Sequence, residues 1–271
     1  MEDSNDSYKT GVEIVRKRSA KSHYAVTGKG SILSRYQDVV VGSRSLIYTF
    51  YYEWCIFLSM IPGALGILLR KVFWPRLFAS CGKGVVFGAQ IILHHPNRIS
   101  IGNRVVISNY CTLDARNPDS NRVIVLGDNG ILSNNVRISC KNGSVEIGDH
   151  FGIGAQTIIH SGMDEPVSIG RDIIIGPRCY ITGGGNYNID RLDIPIRLQG
   201  RKNMGGSKLE NNVWLGANVT ILGGVTMGTG SVAGAGSVVT KTIPANGICM
   251  GIPAKVVRMR RPSENTDRIN K

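Results

Sequence analysis

The sequence predicts an all-β solenoid of triangular coils, preceded by an apolar helical segment that associates with membrane. Three observations carry the solenoid. An apolar residue returns at every sixth position through Leu209, Leu215, Ile221, Met227, Ala233 and Val239. That spacing fits neither a 3.6-residue helix nor the two-residue alternation of a half-buried strand. Turn residues that tolerate positive φ, among them Gly216, Gly228, Gly234, Asn211, Asn212 and Asn218, sit on or near the series. Finally, 34 glycines and only 7% aromatics suit a narrow prism filled with Ile, Leu and Val.

The chain divides in order. Residues 1–40 read as a polar, loosely ordered arm. Residues 41–80 are apolar: "LIYTFYYEWCIFLSMIPGALGILL" holds one formal charge, Glu53. It is long enough to span a bilayer, which takes roughly 20 residues. Pro62-Gly63 breaks it into two helices, each too short to cross alone. Tyr48, Tyr51, Tyr52, Trp54 and Trp74, followed by Arg70, Lys71 and Arg76, suit an in-plane anchor on an anionic leaflet. A helical pair covering the open end of the solenoid fits the same residues.

Residues 81–257 hold the coils. The six-residue period recurs at Ile101, Ile107, Leu113; Leu126, Leu132, Ile138; Ile147, Ile153, Ile159; and Ile169, Ile175, Ile181. Three units make one triangular turn, which buries its interior only by stacking on neighbouring turns. A β-sandwich would instead give period 2 and irregular loops. Between Ile181 and Leu209 the count fails, so residues 182–208 protrude as a loop. Residues 258–271 form a basic tail.

The net charge of +13 raises the question of nucleic acid. The chain has no zinc finger, RNA-binding strand motif or base-reading basic helix, so membrane or an anionic cofactor explains the basic clusters better. Cys55, Cys81, Cys111, Cys140, Cys179 and Cys249 form no Cys-x-x-Cys pair and read as reduced, mostly buried residues of a cytoplasmic protein, with no metal site. The polar, acidic start "MEDSNDSYKTG" is not a signal peptide.

"VWLGANVTILGGVTMGTGSVAGAGSVVTKTIPANGICMGIPAKVV" resembles the C-terminal half of the hexapeptide-repeat acyltransferases, which include the maltose, galactoside, serine and xenobiotic acetyltransferases. "IPGALGILLRKVFWPRLFASCGKGVVFG" further resembles the lead-in of a branch linked to bacterial surface-polysaccharide synthesis. The resemblance implies a left-handed parallel β-helix, against the usual right-handed crossover. It also implies a homotrimer with sites between subunits, acetyl-CoA as acyl donor, no metal, and a histidine base acting on an acceptor hydroxyl or amine. By the same resemblance, Gly216, Ala217, Gly234 and Ala235 lie beside the pantetheine arm, and Thr240, Lys241 and Arg258 near the nucleotide end. Coil geometry alone would also require these small residues.

The base is a departure from the family. Where the family's long loop carries a histidine near its start, this sequence reads "GGNYNIDR", with Asn186 and Tyr187 at the matching place. Tyrosine has an ordinary pKa near 10 and is a poor base unaided. Of His23, His94, His95, His150 and His160, the last is the best candidate. Aligning the coils stacks His94, Asp114, Ser139, His160 and Thr182 along one edge, about 4.8 Å apart per coil. Asp164 and Glu165 stand near enough in sequence to orient its imidazole. The pair His94-His95, with Asp114 as a charge partner, is second, and His150 reads as a solvated corner.

The sequence therefore points to an acetyl-CoA-dependent O- or N-acyltransferase with a saccharide acceptor, lipid-linked at the cytoplasmic face of the inner membrane. A trimeric zinc carbonic anhydrase would need three converging histidines that are not supplied here. A CoA- or saccharide-binding member without a base is the alternative that Tyr187 raises.

Overall fold

Short strands joined by corners leave their backbone groups open along the coil axis, so each strand pairs with its equivalent one coil away. The structure, a computed structural model, describes residues 31–162 and 164–261. Three parallel sheets form the faces of a prism. The first runs over seven strands from Ser80–Cys81 to Thr226–Met227, and the third over seven from Ile92–His94 to Val238–Val239. The second begins at Val86–Phe87 and ends in an antiparallel hairpin, Gly247–Gly251 with Ala254–Met259. This is the expected left-handed parallel β-helix, of about seven turns.

The six-residue series forms its core. Every member from Ile101 to Val239 is at most 3% exposed, and Phe87 and Leu93 extend the rows into the first coil. Corners are made by residues in the left-handed region, such as Asn212 (φ 56°), Asn218 (φ 58°) and His150 (φ 57°). The outward rows differ between faces. On the first sheet Glu146, Ser168 and Lys208 stand in register, whereas on the second Ile174 pairs with Trp214 and both are more than half exposed. The third carries exposed Ile158 beside Tyr180.

Three helices cover the open end of the first coil. Helix α1 (Ile32–Tyr36) continues as a wider helical turn over Gln37–Val41. Helix α2 spans Leu46–Ser59 and α3 spans Gly63–Phe73, parting at Pro62 where the sequence breaks. Residues 31–40, read from sequence as part of the polar arm, are thus largely helical. Val41 is fully buried and the Gln37 amide donates to Thr49 Oγ1 at 2.8 Å, which pins this segment to α2. The rest of the arm, residues 1–30, and the tail beyond Arg261 lie outside the described residues, His23 with them.

The cap satisfies carbonyls that the first coil would leave open. Tyr52 donates its hydroxyl to Leu93 O at 2.7 Å, Ser59 to Ile91 O at 3.3 Å, and Arg70 Nε to Phe87 O at 3.0 Å. The inner face of the apolar segment is therefore a solenoid cap. Among the described residues no helix is long and apolar enough to cross a membrane.

His95 bolts this cap to the prism. Arg98 Nη1 lies 3.0 Å from His95 Nδ1, and guanidinium only donates, so Nδ1 accepts and Nε2–H donates to Asp38 O at 3.0 Å. Burial, then Arg98, push its pKa down to about 4. Unfolding lets this imidazole take a proton wherever the pH lies between the lowered value and the ordinary 6.5. Stability therefore falls as pH drops through that window, by about 3 kcal/mol in full. Urea midpoints at pH 7 and pH 4.5 are expected to differ less in His95→Gln than in wild type; an equal difference would place the acid sensitivity elsewhere.

Candidate active site

Sheet register decides which side chains share an edge. In the third sheet His94 is paired with Asp114, Asp114 with Ser139, Ser139 with His160, and His160 with Thr182. The edge ladder read from the six-residue count is therefore present in the structure. Thr182 ends its strand, and the chain leaves the prism there, returning at Ser207. His160 stands one rung below the root of that loop.

The His160 imidazole is half-buried and accepts or donates no hydrogen bond among the described residues. Burial, followed by the charges of Arg137 and Arg201, holds its pKa below the ordinary 6.5, so it is neutral at pH 7 with a free ring nitrogen. Glu165 does not orient it. That carboxylate is buried and accepts the Met204 amide, while the Glu165 carbonyl accepts from Ser161 Oγ at 2.8 Å. Glu165 instead ties the two ends of the loop together, because its carboxylate occupies the space that a Cβ on Gly184 would need. Asp164 is exposed at a left-handed corner.

Asn186 and Tyr187 lie in the loop and line a shallow cavity of about 380 Å³ with Asn188, Ile189, Asp190 and Lys202. Arg201, which the sequence reading did not single out, stacks over the Tyr187 ring, its Cζ 4.7 Å from the centroid. It also donates to the Tyr187 hydroxyl at 2.8 Å. The same guanidinium acts on His160, which links the loop to the ladder. No sequence signal marked it, since it is fourteen residues from Tyr187.

The second candidate pair separates into two roles. His95 is held structurally, as above. His94 Nδ1 lies 3.7 Å from Asp114 Oδ1, a charge contact rather than a hydrogen bond. The buried Asp114 carboxylate is taken by Arg116, at 2.6–3.0 Å. Burial opposes its ionisation, but His94 and Arg116 together hold its pKa below the ordinary carboxylate value.

The residues nominated for the acyl donor occupy two different edges. Gly216, Ala217, Gly234 and Ala235 lie on the corner between the second and third sheets. Coil geometry explains Gly216, since a Cβ there would meet Ala235 N at 2.7 Å. The alanine amides are left open by the same geometry. Lower on this corner Ala89 and Asn109 donate to the asparagine side chain of the next coil. Ala217 and Ala235 have no such acceptor above them, and their N–H groups make no hydrogen bond among the described residues. The Asn134 and Ala155 amides on the same corner are likewise unpaired among the described residues, so open amides are a feature of the corner as a whole. Thr240 and Lys241 are exposed on the ladder's own edge, beyond Val238–Val239, and Arg258 is exposed on the closing hairpin. Among the described residues no three His, Cys, Asp or Glu side chains could hold a metal, and the six cysteines are free.

The bacterial transferase hexapeptide family (six repeats) matches residues 206–241. A Staphylococcus aureus (strain MRSA252) protein named as an acetyltransferase is 43% identical over 108 residues, 34% of this chain and 54% of that protein. One from Mycobacterium tuberculosis, also so named, is 32% identical over 46% of this chain and 41% of its own. The chain spans about half the length of the curated relatives it matches. Among solved structures, AntD, an N-acyltransferase from Bacillus cereus in complex with dTDP and 3-hydroxybutyryl-CoA, is 24% identical with a TM-score of 0.46, over 68% of this chain and 84% of AntD. Over residues 206–241 the chain carries the repeats of the bacterial transferase hexapeptide family, and its coils have the form that such repeats build.

Proposed function

We propose that the protein transfers an acetyl group from acetyl-CoA to a hydroxyl or amine of a saccharide, with His160 as the base. The observation that carries this is the His160 ring itself: neutral, unengaged, and placed on the edge from which the loop with Tyr187 and Arg201 emerges. Its free nitrogen takes the acceptor proton as the nucleophile forms. Asn186 and Tyr187 line the acceptor side, with Arg201 fixing the phenol. Bound acetyl-CoA supplies the activated acyl group; Ala217 and Ala235 would hold its arm, and Thr240, Lys241 and Arg258 its phosphates. The relatives named as acetyltransferases support the same reaction class.

The positive charges around the base favour an anionic acceptor. Arg137, Arg201 and Lys141 all act on His160, and only Asp114 opposes them. A sugar carried on a nucleotide or on a lipid phosphate meets that field, and a role in surface-polysaccharide or glycolipid synthesis at the cytoplasmic face of the inner membrane follows from the second.

A homotrimer brings the two edges together. In one chain the free alanine amides and His160 lie on different corners, so a donor arm and a base meet only when one chain's corner faces another's. The exposed apolar rows of the second and third sheets, against the polar row of the first, support burial of those two faces between subunits. Light scattering is expected to give a trimer for wild type and a monomer for Ile174→Asp combined with Trp214→Asp, with turnover lost in the monomer. A variant that remains trimeric would remove these rows from the interface.

Release of CoA thiol from acetyl-CoA, with a panel of nucleotide-linked and lipid-linked sugars, tests the function. Acceptor-dependent release abolished by His160→Ala supports it. Release that survives the substitution moves the chemistry to His94 or the Tyr187 loop. CoA binding without release from any acceptor would make the chain a binding member of the family.

A further inference from the structure

Helix α2 is apolar on both sides apart from Glu53, which is exposed among Phe50, Trp54 and Phe57 and accepts the Tyr36 hydroxyl. Thr49, Tyr52, Cys55 and Leu58 face the solenoid and are buried. On the opposite side Ile47, Phe50, Trp54 and Phe57 are exposed, at 85%, 75%, 48% and 60%. Helix α3 repeats the arrangement: Arg70 and Gly66 point inward, and Leu65 and Leu68 outward at 61% and 58% exposure. An outer face this rich in large apolar side chains calls for an apolar neighbour, and the prism covers only the inner side.

We propose that the outer face of α2 and α3 is a platform that seats this protein on an anionic phospholipid bilayer, with the solenoid standing away from the membrane. Charge chooses the bilayer over other occupants. Glu53 is the one acidic residue between Leu46 and Phe73, and it accepts the Tyr36 hydroxyl. Exposed Lys71, Arg76 and Lys83 lie at the rim, where anionic headgroups would meet them. Helices of this length lie in the interface rather than crossing it. The cap covers the end of the prism, so its outer face points along the coil axis. On the trimeric reading above, three parallel prisms place three platforms in one plane, and binding gains from their multivalency.

The platform also sets where the acceptor arrives. His94 belongs to the first coil, beside the cap, and His160 stands three rungs further along the same edge. At about 4.8 Å per rung the base lies about 14 Å beyond His94. A saccharide on a lipid phosphate would rise along this edge, past Arg116 and Arg137, to reach the base.

Flotation of the full chain with vesicles tests the platform without any need for catalysis. Wild type is expected to float with phosphatidylcholine–phosphatidylglycerol vesicles and far less with phosphatidylcholine alone. Phe50→Glu with Phe57→Glu alters only exposed positions and is expected to cut vesicle binding at least about tenfold, since such binding scales with buried apolar area. Lys71→Glu with Arg76→Glu should weaken binding to the anionic vesicles alone. In a Trp214→Phe background, emission of exposed Trp54 should shift to the blue on binding. Wild type that floats with neither vesicle, or a Phe50/Phe57 variant that floats like wild type, overturns the proposal. A wild type that doubles its mass without floating, reversed by the same variant, assigns the face to a second copy and overturns it too. Thiol release with a soluble nucleotide-linked sugar should be unchanged in the Phe50/Phe57 variant, so loss of flotation and loss of the acyltransferase reading are read separately.

Discussion

His160→Ala is expected to lower acceptor-dependent thiol release by about 10²–10⁴-fold, the span that a positioned general base contributes. Thermal stability should barely change, because among the described residues the half-buried ring makes no hydrogen bond whose loss would leave a buried group unpaired. The effect should fall on kcat, with acetyl-CoA binding retained, since the alanine amides nominated for the donor lie on another edge. The pH profile gives an independent check. A base works in its neutral form, so the rate falls as pH drops through the imidazole pKa, which burial and the neighbouring cations place below 6.5. Arg201→Gln removes one of those cations, and the acid limb should move to higher pH. A limb that stays put in Arg201→Gln, together with full activity in His160→Ala, would remove His160 from the reaction.

Arg70→Met is expected to cost about 3–5 kcal/mol of stability. The Arg70 side chain is buried, and among the described residues no carboxylate meets it. It spends its donors on backbone carbonyls instead: Nε to Phe87 O at 3.0 Å, and Nη1 to Leu58 O at 2.9 Å and Ile61 O at 2.8 Å. One guanidinium thereby joins the end of α2, the Pro62 break and the first coil. Methionine fills much of the volume but removes three hydrogen bonds from a charged group, worth about 1.5–3 kcal/mol each, and only Leu58 O keeps another donor, the Ile61 amide at 3.3 Å. Gly66 belongs to the same device, since a Cβ there would stand 2.8 Å from Arg70 Nη1. Urea unfolding followed by fluorescence of Trp74, buried within the cap, checks the figure. A loss below about 1 kcal/mol would mean that water or a neighbouring side chain replaces the guanidinium.

The coils were legible because one physical constraint writes them: only an apolar residue fits inside the prism, and it must recur each time a side is completed. From that count alone, His94, Asp114, Ser139, His160 and Thr182 fall on a common edge, as the sheet register has them. Pro62 marked the helix break for a similarly local reason. What sequence spacing could not supply were contacts made by long side chains across the fold. Arg201 reaching Tyr187, Glu165 turning to Met204 rather than to His160, and Arg70 crossing to Phe87 depend on rotamers that no period encodes. The contrast between outward rows was available and overlooked. The residue before each inward member is apolar at Ile174 and Trp214 but polar at Ser168 and Lys208, a difference visible once positions are sorted by sheet.

Since each coil reads only the coil beneath it, the prism behaves as a ruler with its zero at the cap. On the proposed reading, inserting or deleting one whole turn between His95 and His160 would shift His160 by about 4.8 Å relative to the cap and leave every contact within its own rungs intact. Relatives with different numbers of turns in that interval would then serve acceptors of different reach, the length of the glycan being matched by coil count instead of by the shape of a pocket.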